Sequence, residues 1–404
     1  MTETAPPRPL PTLGRVVRET SLRSASNGLI GVVFSSTGPV AVILAAGAQG
    51  GLTAAELASW IFGVFFLNGI LTILASWVYQ RPLGFFWTIP GTVLVGNSLT
   101  HMPFSQVVGV YFVTGALILV LGATGLVSRV MSALPTPIVM AMVAGVFLQF
   151  GVGLVESVSV SAAIAFPMIV VFVLLSYSRR AGTVLPPVLG ALLTGVIAVA
   201  ATGQYSPADE TPGLVAVPVF TVPEFAWPAI VELVVPLAIT VLVVQNGQGV
   251  AVLRMAGHPV PVTPMTLACG LWSLLSACVG AVSSCLTGPT NAILTSSGAR
   301  ERQYTAAIIC GLLAMLIGLF APLFVALMLG MPAAFIAALA GLAMLAALKG
   351  SFVSSFTQAH THGALAAFLV TVAGIDFLGV SAAFWGLVTG VVVSRFMDRA
   401  TVEK

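Results

Sequence analysis

The chain has 404 residues, 58% apolar and only 7% charged, with a formal net charge of +3. A soluble domain carries about 25% charged residues, so this composition excludes an ordinary soluble fold. Apolar runs recur from about residue 24 to the end, each long enough to cross a bilayer, and the chain reads as an all-α polytopic membrane protein.

The opening "MTETAPPRPLPTLGRVVRETSLR" lacks an apolar core followed by a small-residue cleavage site. Residues 1–23 read as a cytoplasmic tail. Seven membrane segments follow, at about 24–46, 53–78, 84–99, 104–128, 132–154, 161–178 and 184–202. A polar extracytoplasmic connection spans 204–229. Seven more segments lie at about 230–253, 264–282, 284–298, 304–329, 332–348, 363–379 and 381–397, before a short cytoplasmic tail at 398–404. With the N-terminus inside, this count of fourteen places every Lys and Arg on the cytoplasmic side, as the positive-inside rule requires. The outer connections hold Glu56, Glu156, Asp209, Glu210 and Glu224. Both termini are therefore expected in the cytoplasm, in an inner membrane.

The two halves echo each other. "VAVILAAG" (40–47) matches "VAVLRMAG" (250–257) at five of eight positions, and "LLTGVI" (192–197) resembles "LVTGVV" (387–392). "TGALILVLG" (114–122) matches "CGLLAMLIG" (310–318) more weakly. Three matches in one order at similar offsets indicate a repeat. Seven is odd, so the second repeat (230–397) must run inverted relative to the first (24–203), an architecture common in secondary transporters.

The third and tenth segments are short and interrupted in both halves. They read "LGFFWTIPGTVLVGNSLT" (83–100) and "SSCLTGPTNAILTSSG" (283–298). Pro90, Gly91 and Thr92 in one answer Gly288, Pro289 and Thr290 in the other, with Asn291 following. Proline disfavours a helical residue before it and suits the first turn after it. Each segment is expected to cross half the membrane as a short strand and half as a helix. The two half-helices would begin at mid-depth, with free N–H groups and positive dipole ends facing a shared space. That is an anion site without a basic side chain. The bland alternative is a pair of kinked, packed helices.

The first and eighth segments flank these breaks. Ser35, Ser36, Thr37 and Gly38 lie beside Gln245, Asn246, Gly247 and Gln248 in the register of the repeat. Three amides in one apolar helix either face a ligand or make helix–helix contacts, and Gln248 can point elsewhere on the helix. Phe85, Phe86 and Trp87 could wall an aromatic pocket, although core or lipid contact is the commoner role. Glu232 and Asp376 fall near outer ends, where solvation is the easier reading. His360 and His362 read as a solvated connection. The four cysteines lack metal-ligand spacing and read as reduced core residues. No catalytic triad, metal motif or nucleotide loop is present in the sequence, so no catalytic residue, metal or cofactor is expected.

Taken together, "TIPGT", "TGPTNAIL", "VQNGQGVAVLRMAG" and "AFWGLVTGVV" resemble the benzoate:proton symporter (BenE) family over about residues 20–397. That family is similar in fold to the uracil permease and sulfate/bicarbonate transporter superfamily. The resemblance implies a core domain (24–129 and 230–329) and a gate domain (132–203 and 332–397). It also implies import of benzoate or a similar aromatic carboxylate with protons, by alternating access. The ligand would lie between Gly91-Thr92 and Thr290-Asn291, oriented by Ser35, Thr37, Gln245 and Asn246. The expected partners are that acid, protons and the lipid bilayer, with a second copy in a homodimer compatible and no nucleic acid. Uracil permeases carry carboxylates in the eighth and tenth segments. This chain has Gln245 and Thr290 or Asn291 there, which argues against a nucleobase and leaves the proton-coupling group unassigned. Another small anion or a nucleobase, a channel, or a membrane enzyme remain the alternatives.

Overall fold

The computed structural model describes residues 9–127, 135–178, 185–207, 213–357, 359–374 and 382–398. Arg8, Arg129, Arg179, Arg180, Asp209, Glu210, Asp376, Arg399 and Lys404, used above to orient the chain or weigh its ionisable groups, lie outside them, as do the Thr37 side chain and the surroundings of Gly38.

A short helix α1 (Leu13–Glu19) precedes α2 (Leu22–Gln49), which starts at a capping box between Ser21 and Ser24. The next span joins α3 (Ala54–Phe62) to α4 (Asn68–Tyr79) through a π-helical turn at Gly63–Leu67. Strand β1 (Phe85–Trp87) leads into α5 (Ile89–Ser98), and α6 (Phe104–Thr124) follows. Then come α7 (Thr136–Val160), α8 (Ala162–Tyr177) and α9 (Pro187–Thr202). In the second half α10 (Trp227–Ile239) runs through a π-helical stretch, Thr240–Asn246, into α11 (Gly247–Met255). After α12 (Val262–Ala277), strand β2 (Ser284–Leu286) leads into α13 (Gly288–Leu294). The chain continues through α14 (Tyr304–Leu319), α15 (Ala321–Leu329), α16 (Ala333–Phe356), α17 (Thr361–Ala373) and α18 (Ala382–Met397). Seven continuous helical stretches among the described residues are long and apolar enough to cross a membrane by length and composition.

Several segment ends differ from the sequence expectation by five residues or more: α7 runs on to Val160, while α12 stops at Ala277 and α17 at Ala373. Two further differences have a clear local cause. The run 304–329 breaks at Phe320, because Pro322 begins a new helix and has no N–H to continue the old one. The run ending near 348 continues to Phe356. There Ser351 and Ser355 return their hydroxyls to the carbonyls of Ala347 and Ser351, which lets polar residues stay helical.

The two strands pair antiparallel, with Phe85 opposite Leu286, Phe86 opposite Cys285 and Trp87 opposite Ser284. Thr88 N–H to the Ser283 carbonyl and Thr287 N–H to the Gly84 carbonyl, each 3.2 Å, extend the ladder at both ends. Such a ladder has two open edges, and in an apolar interior those edges need partners. Helix α4 closes one: Thr72 Oγ1 accepts the Phe85 N–H at 2.9 Å and donates to its carbonyl, while Ser76 serves Leu83 in the same way. The other edge is closed by Ser273 on α12, which accepts the Ser284 N–H at 3.0 Å, and by Asn246, which accepts the Leu286 N–H at 2.8 Å.

Around this centre α2, α4, α5, α6, α10, α12, α13 and α14 pack mainly on one another. Helices α7, α8, α16, α17 and α18 pack together on the other side, with α9 against α8. Helices α2 and α5 touch α16 and α7 across the boundary. Glycines allow the closest approaches. A Cβ at Gly249 would fall 2.5 Å from the Leu286 carbonyl oxygen, so α11 lies directly on β2. Gly249→Val should therefore displace β2 and cost about 1–3 kcal/mol, read as a lower thermal unfolding midpoint in detergent.

Candidate functional site

The starts of the two half-helices border one small cavity. Its apolar wall comes from Phe34 and Pro39 on α2, Phe86 and Trp87 of β1, and Ile89. Its polar side comes from Ser35, Gln245, Thr287 and Thr290, with Pro289 beside them. Strand geometry places these rings. Phe65 on the π turn meets Phe86 and Trp87 edge-on, at centroid distances of 5.8 and 5.1 Å, which holds both against the large apolar core. Phe85 turns the other way, into the cluster with Cys285 and Leu286.

Two polar atoms at this cavity have no hydrogen-bond partner: the Gln245 Oε1 and the Trp87 Nε1. A buried unpaired polar group is costly and calls for an explanation. Gln245 lies in the π-helical stretch, a feature frequent at functional sites. A half-turn of its amide presents NH2 donors instead of the oxygen.

The other expected residues divide sharply. Ser35 lines the cavity, donates to the Gly31 carbonyl and stands 3.2 Å from the Thr290 hydroxyl, linking α2 to α13. Ser36 bonds back to the Val33 carbonyl and lies off the cavity. Thr37 and Gly38 sit within α2, and their surroundings lie outside what is described. Pro90, Gly91 and Thr92 are buried in the first turn of α5 but do not line the cavity. The Gly91 N–H is taken by Thr88 Oγ1 at 3.1 Å, and Thr88 in turn donates to Thr240. The start of α13 has no such side-chain cap. Asn246 and Asn291, expected to face the ligand, hold strands instead. Asn291 accepts the Gly84 N–H at 2.8 Å and donates to the carbonyls of Gly84 and Thr287. Gln248 is exposed and lies over Gly288, which is itself off the cavity. Phe34, Pro39, Ile89 and Thr287 were not anticipated; as ordinary apolar or cap residues they carry no sequence signal.

The central cavity has a volume of only about 20 Å³, room for roughly one water. A second cavity of about 460 Å³ continues along the same helix faces. On α5, Ile89 borders the first, and Val93, Gly96 and Asn97 border the second. On α2, Ser35 and Pro39 give way to Leu44 and Gln49. Gln149 and Phe150 of α7 and Ile336 of α16 form its far wall.

Three ionisable groups depart from the sequence reading. Glu232 is not solvated: its side chain is 5% exposed, accepts the Ser98 hydroxyl at 2.7 Å and meets His101 at 3.1 Å. Neither histidine of the 359–362 connection is merely solvated. His360 bonds Ser394 at 2.6 Å, and His362 bonds Asp398 at 2.8 Å. Burial works to raise the Asp398 carboxyl, but the Gly363 N–H, His362 and Ser394 together hold it below the usual carboxylate range. Among the described residues no group of three or more metal-ligating side chains assembles.

A family model described as a benzoate membrane transport protein, BenE, matches residues 18–396. The inner membrane protein YdcO of Escherichia coli is 29% identical over 380 residues, covering 92% of this chain and 96% of that protein. A benzoate membrane transport protein of Acinetobacter baylyi is 30% identical over 377 residues, covering 92% and 94%. Among solved structures, the transmembrane domain of a cyanobacterial bicarbonate transporter, BicA, aligns with a TM-score of 0.63 at 14% identity, over 92% of this chain and 98% of that one. The overall structure of SLC26A9 aligns with a TM-score of 0.68 at 12% identity, over 94% and 66%. At such identities the likeness is one of fold: a mostly helical, polytopic membrane fold shared with these transporters.

The hydrogen bonds separate strand-holding from cavity-lining amides experimentally. Asn291→Asp turns donors into acceptors against two carbonyls and should cost about 1–3 kcal/mol of stability. Gln245→Leu removes an amide whose oxygen is unpaired and should leave the unfolding midpoint nearly unchanged, within about 0.5 kcal/mol. Thermal unfolding of both variants in one detergent checks the contrast.

Proposed function

The chain belongs to the benzoate membrane transport protein (BenE) family and is a membrane transporter of that family; from that premise we propose that it imports an aromatic carboxylate, benzoate or a close analogue, with protons. The observation that carries this reading is the central cavity. It combines aromatic walls, Phe34, Phe86 and Trp87, with the unpartnered Gln245 amide and the unpartnered Trp87 N–H. With the Gln245 amide turned so that its NH2 faces inward, those groups match a ring that ends in an anion. No carboxylate lines the cavity among the described residues, which suits an anionic ligand and disfavours a nucleobase. A small inorganic anion would leave the aromatic walls without a role. The family match and the curated relative are transporters, which favours transport over catalysis as the role of this site.

Fourteen segments in two inverted repeats underlie this reading, with the core and gate domains bounded as above. The packing supports it, because neighbour pairs recur when the halves are exchanged. Helix α6 packs on α12 as α4 packs on α14, α8 on α9 as α17 on α18, and α2 on α13 as α5 on α10. We place both termini in the cytoplasm of an inner-membrane protein, which puts the 460 Å³ cavity on the outer side. The larger cavity then lies on the outer side of the central one, which is too narrow for a ring until its walls part. Movement of the core against the gate would carry the ligand across, the ligand biasing states already accessible.

Labelled benzoate uptake into proteoliposomes, with and without an inward proton gradient, tests the reading. Saturable, gradient-stimulated uptake is expected; uptake no greater than in empty vesicles overturns it. Gln245→Leu should weaken benzoate about tenfold to a hundredfold, the worth of one hydrogen bond to a charged group, and Ser35→Ala should weaken it less.

A further inference from the structure

We propose that Glu232 and His101 form the proton-loading site of the transport cycle, outside the ligand cavity; this rests on the proton-coupled reading above. An ionisable side chain inside an apolar span is expensive and normally has a task. Glu232 sits in α10 with its side chain 5% exposed, whereas the His101 side chain is 44% exposed. Water thus reaches the imidazole, and the imidazole reaches the carboxylate.

The donors and acceptors leave a place for one exchangeable proton. Glu232 Oε1 accepts from the Ser98 hydroxyl, and Oε2 lies against His101 Nε2. The Thr100 hydroxyl gives its only proton to the Asn97 carbonyl at 2.6 Å, so its oxygen can only accept from His101 Nδ1, 3.3 Å away. Both ring nitrogens therefore face acceptors, an arrangement completed by an imidazolium. Loss of one proton leaves a ring nitrogen opposite an oxygen with no hydrogen between them. The loaded and unloaded pairs differ in how tightly they hold the end of α5 to α10.

Few other charges compete. Helices α5, α6 and α18 pack against α10. Along their described lengths they carry only Tyr111 on α6 and Arg395 near the C-terminal end of α18 as titratable or charged side chains. In the segment leading to α10, Glu224 is engaged by Ser105 and Gln106 at the start of α6.

The pair is also connected to the ligand cavity. Ser98 and His101 hold the C-terminal end of α5 to Glu232, and Thr88 holds its start to Thr240 in the π-helical stretch. Between those two ties α5 presents Ile89 to the central cavity, and the π-helical stretch presents Gln245. Asn97, next to Ser98, borders the larger cavity. A proton taken from water on that side can thus adjust how α5 and the π-helical stretch close on the ligand. The same proton leaves on the other side once the core has moved.

The test uses the full chain in proteoliposomes and compares gradient-driven accumulation with benzoate counterflow, which needs no proton drive. One unit of pH gradient supports about tenfold accumulation for one proton per ligand. In Glu232→Gln, whose amide oxygen can still accept from Ser98, accumulation should fall to the equilibrium level while counterflow stays within about twofold of wild type. His101→Gln should flatten the pH profile of uptake. Wild-type coupling and pH profile in Glu232→Gln overturn the proposal, as does equal loss of counterflow and accumulation in a monodisperse variant. If Glu232→Gln does not fold, an unchanged pH profile in His101→Gln overturns it. A wild-type chain silent in both assays counts against benzoate transport instead. The pair is then judged by imidazole NMR of His101, whose titration must differ between wild type and Glu232→Gln, or between wild type and Ser98→Ala if that variant does not fold.

Discussion

A strand inside an apolar protein survives only if every backbone N–H and C=O finds a partner. The centre of this transporter depends on that constraint. Six strand residues pair across a single ladder, and both outer edges are closed by side chains: Thr72 and Ser76 on one, Ser273 and Asn246 on the other. These few polar residues let two segments stop being helical in the middle of the protein. Only then can α5 and α13 begin there, and only then does a cavity exist between them.

The constraint also explains which amides the strands engage and which they leave free. Asn246 and Asn291 complete the backbone accounting of β2 and of the approach to β1. Gln245, one residue before Asn246, is left with an unpaired oxygen at the cavity wall. Adjacent residues on one helix thus serve opposite neighbours, one structural and one facing the space where an anion would lie. The uncapped start of α13 contrasts with the start of α5, where Thr88 already occupies the Gly91 N–H. The two half-helices each follow a strand of the same ladder but differ in hydrogen bonding.

Much of the interior is assembled through small residues. Gly69 and Gly311 face each other so closely that a Cβ on either would fall within 2.6–2.7 Å of the other's carbonyl oxygen. Hydrophobicity gives membrane helices no preference for one another over lipid, so close backbone approach and hydrogen bonds must do so. The same logic makes the Ser98–Glu232–His101 cluster conspicuous, as it joins a half-helix to a long span through ionisable groups.

Some of this was legible in the chain alone. Low charge, recurrent apolar runs and the paired Pro-Gly breaks are local properties, and they determined the membrane class and the places where helices must start afresh. Proline acts through its own ring and missing N–H, so Pro90 and Pro289 announced α5 and α13 without help from any neighbour. The direction of a side chain is not local in this way. Only tertiary structure decided that Gln245 meets the cavity while Asn246 and Asn291 hold strands, because a π-helical stretch and a facing strand set those directions. Only tertiary structure decided that Glu232 is buried against His101, because distance from the end of a span says nothing about what packs over it.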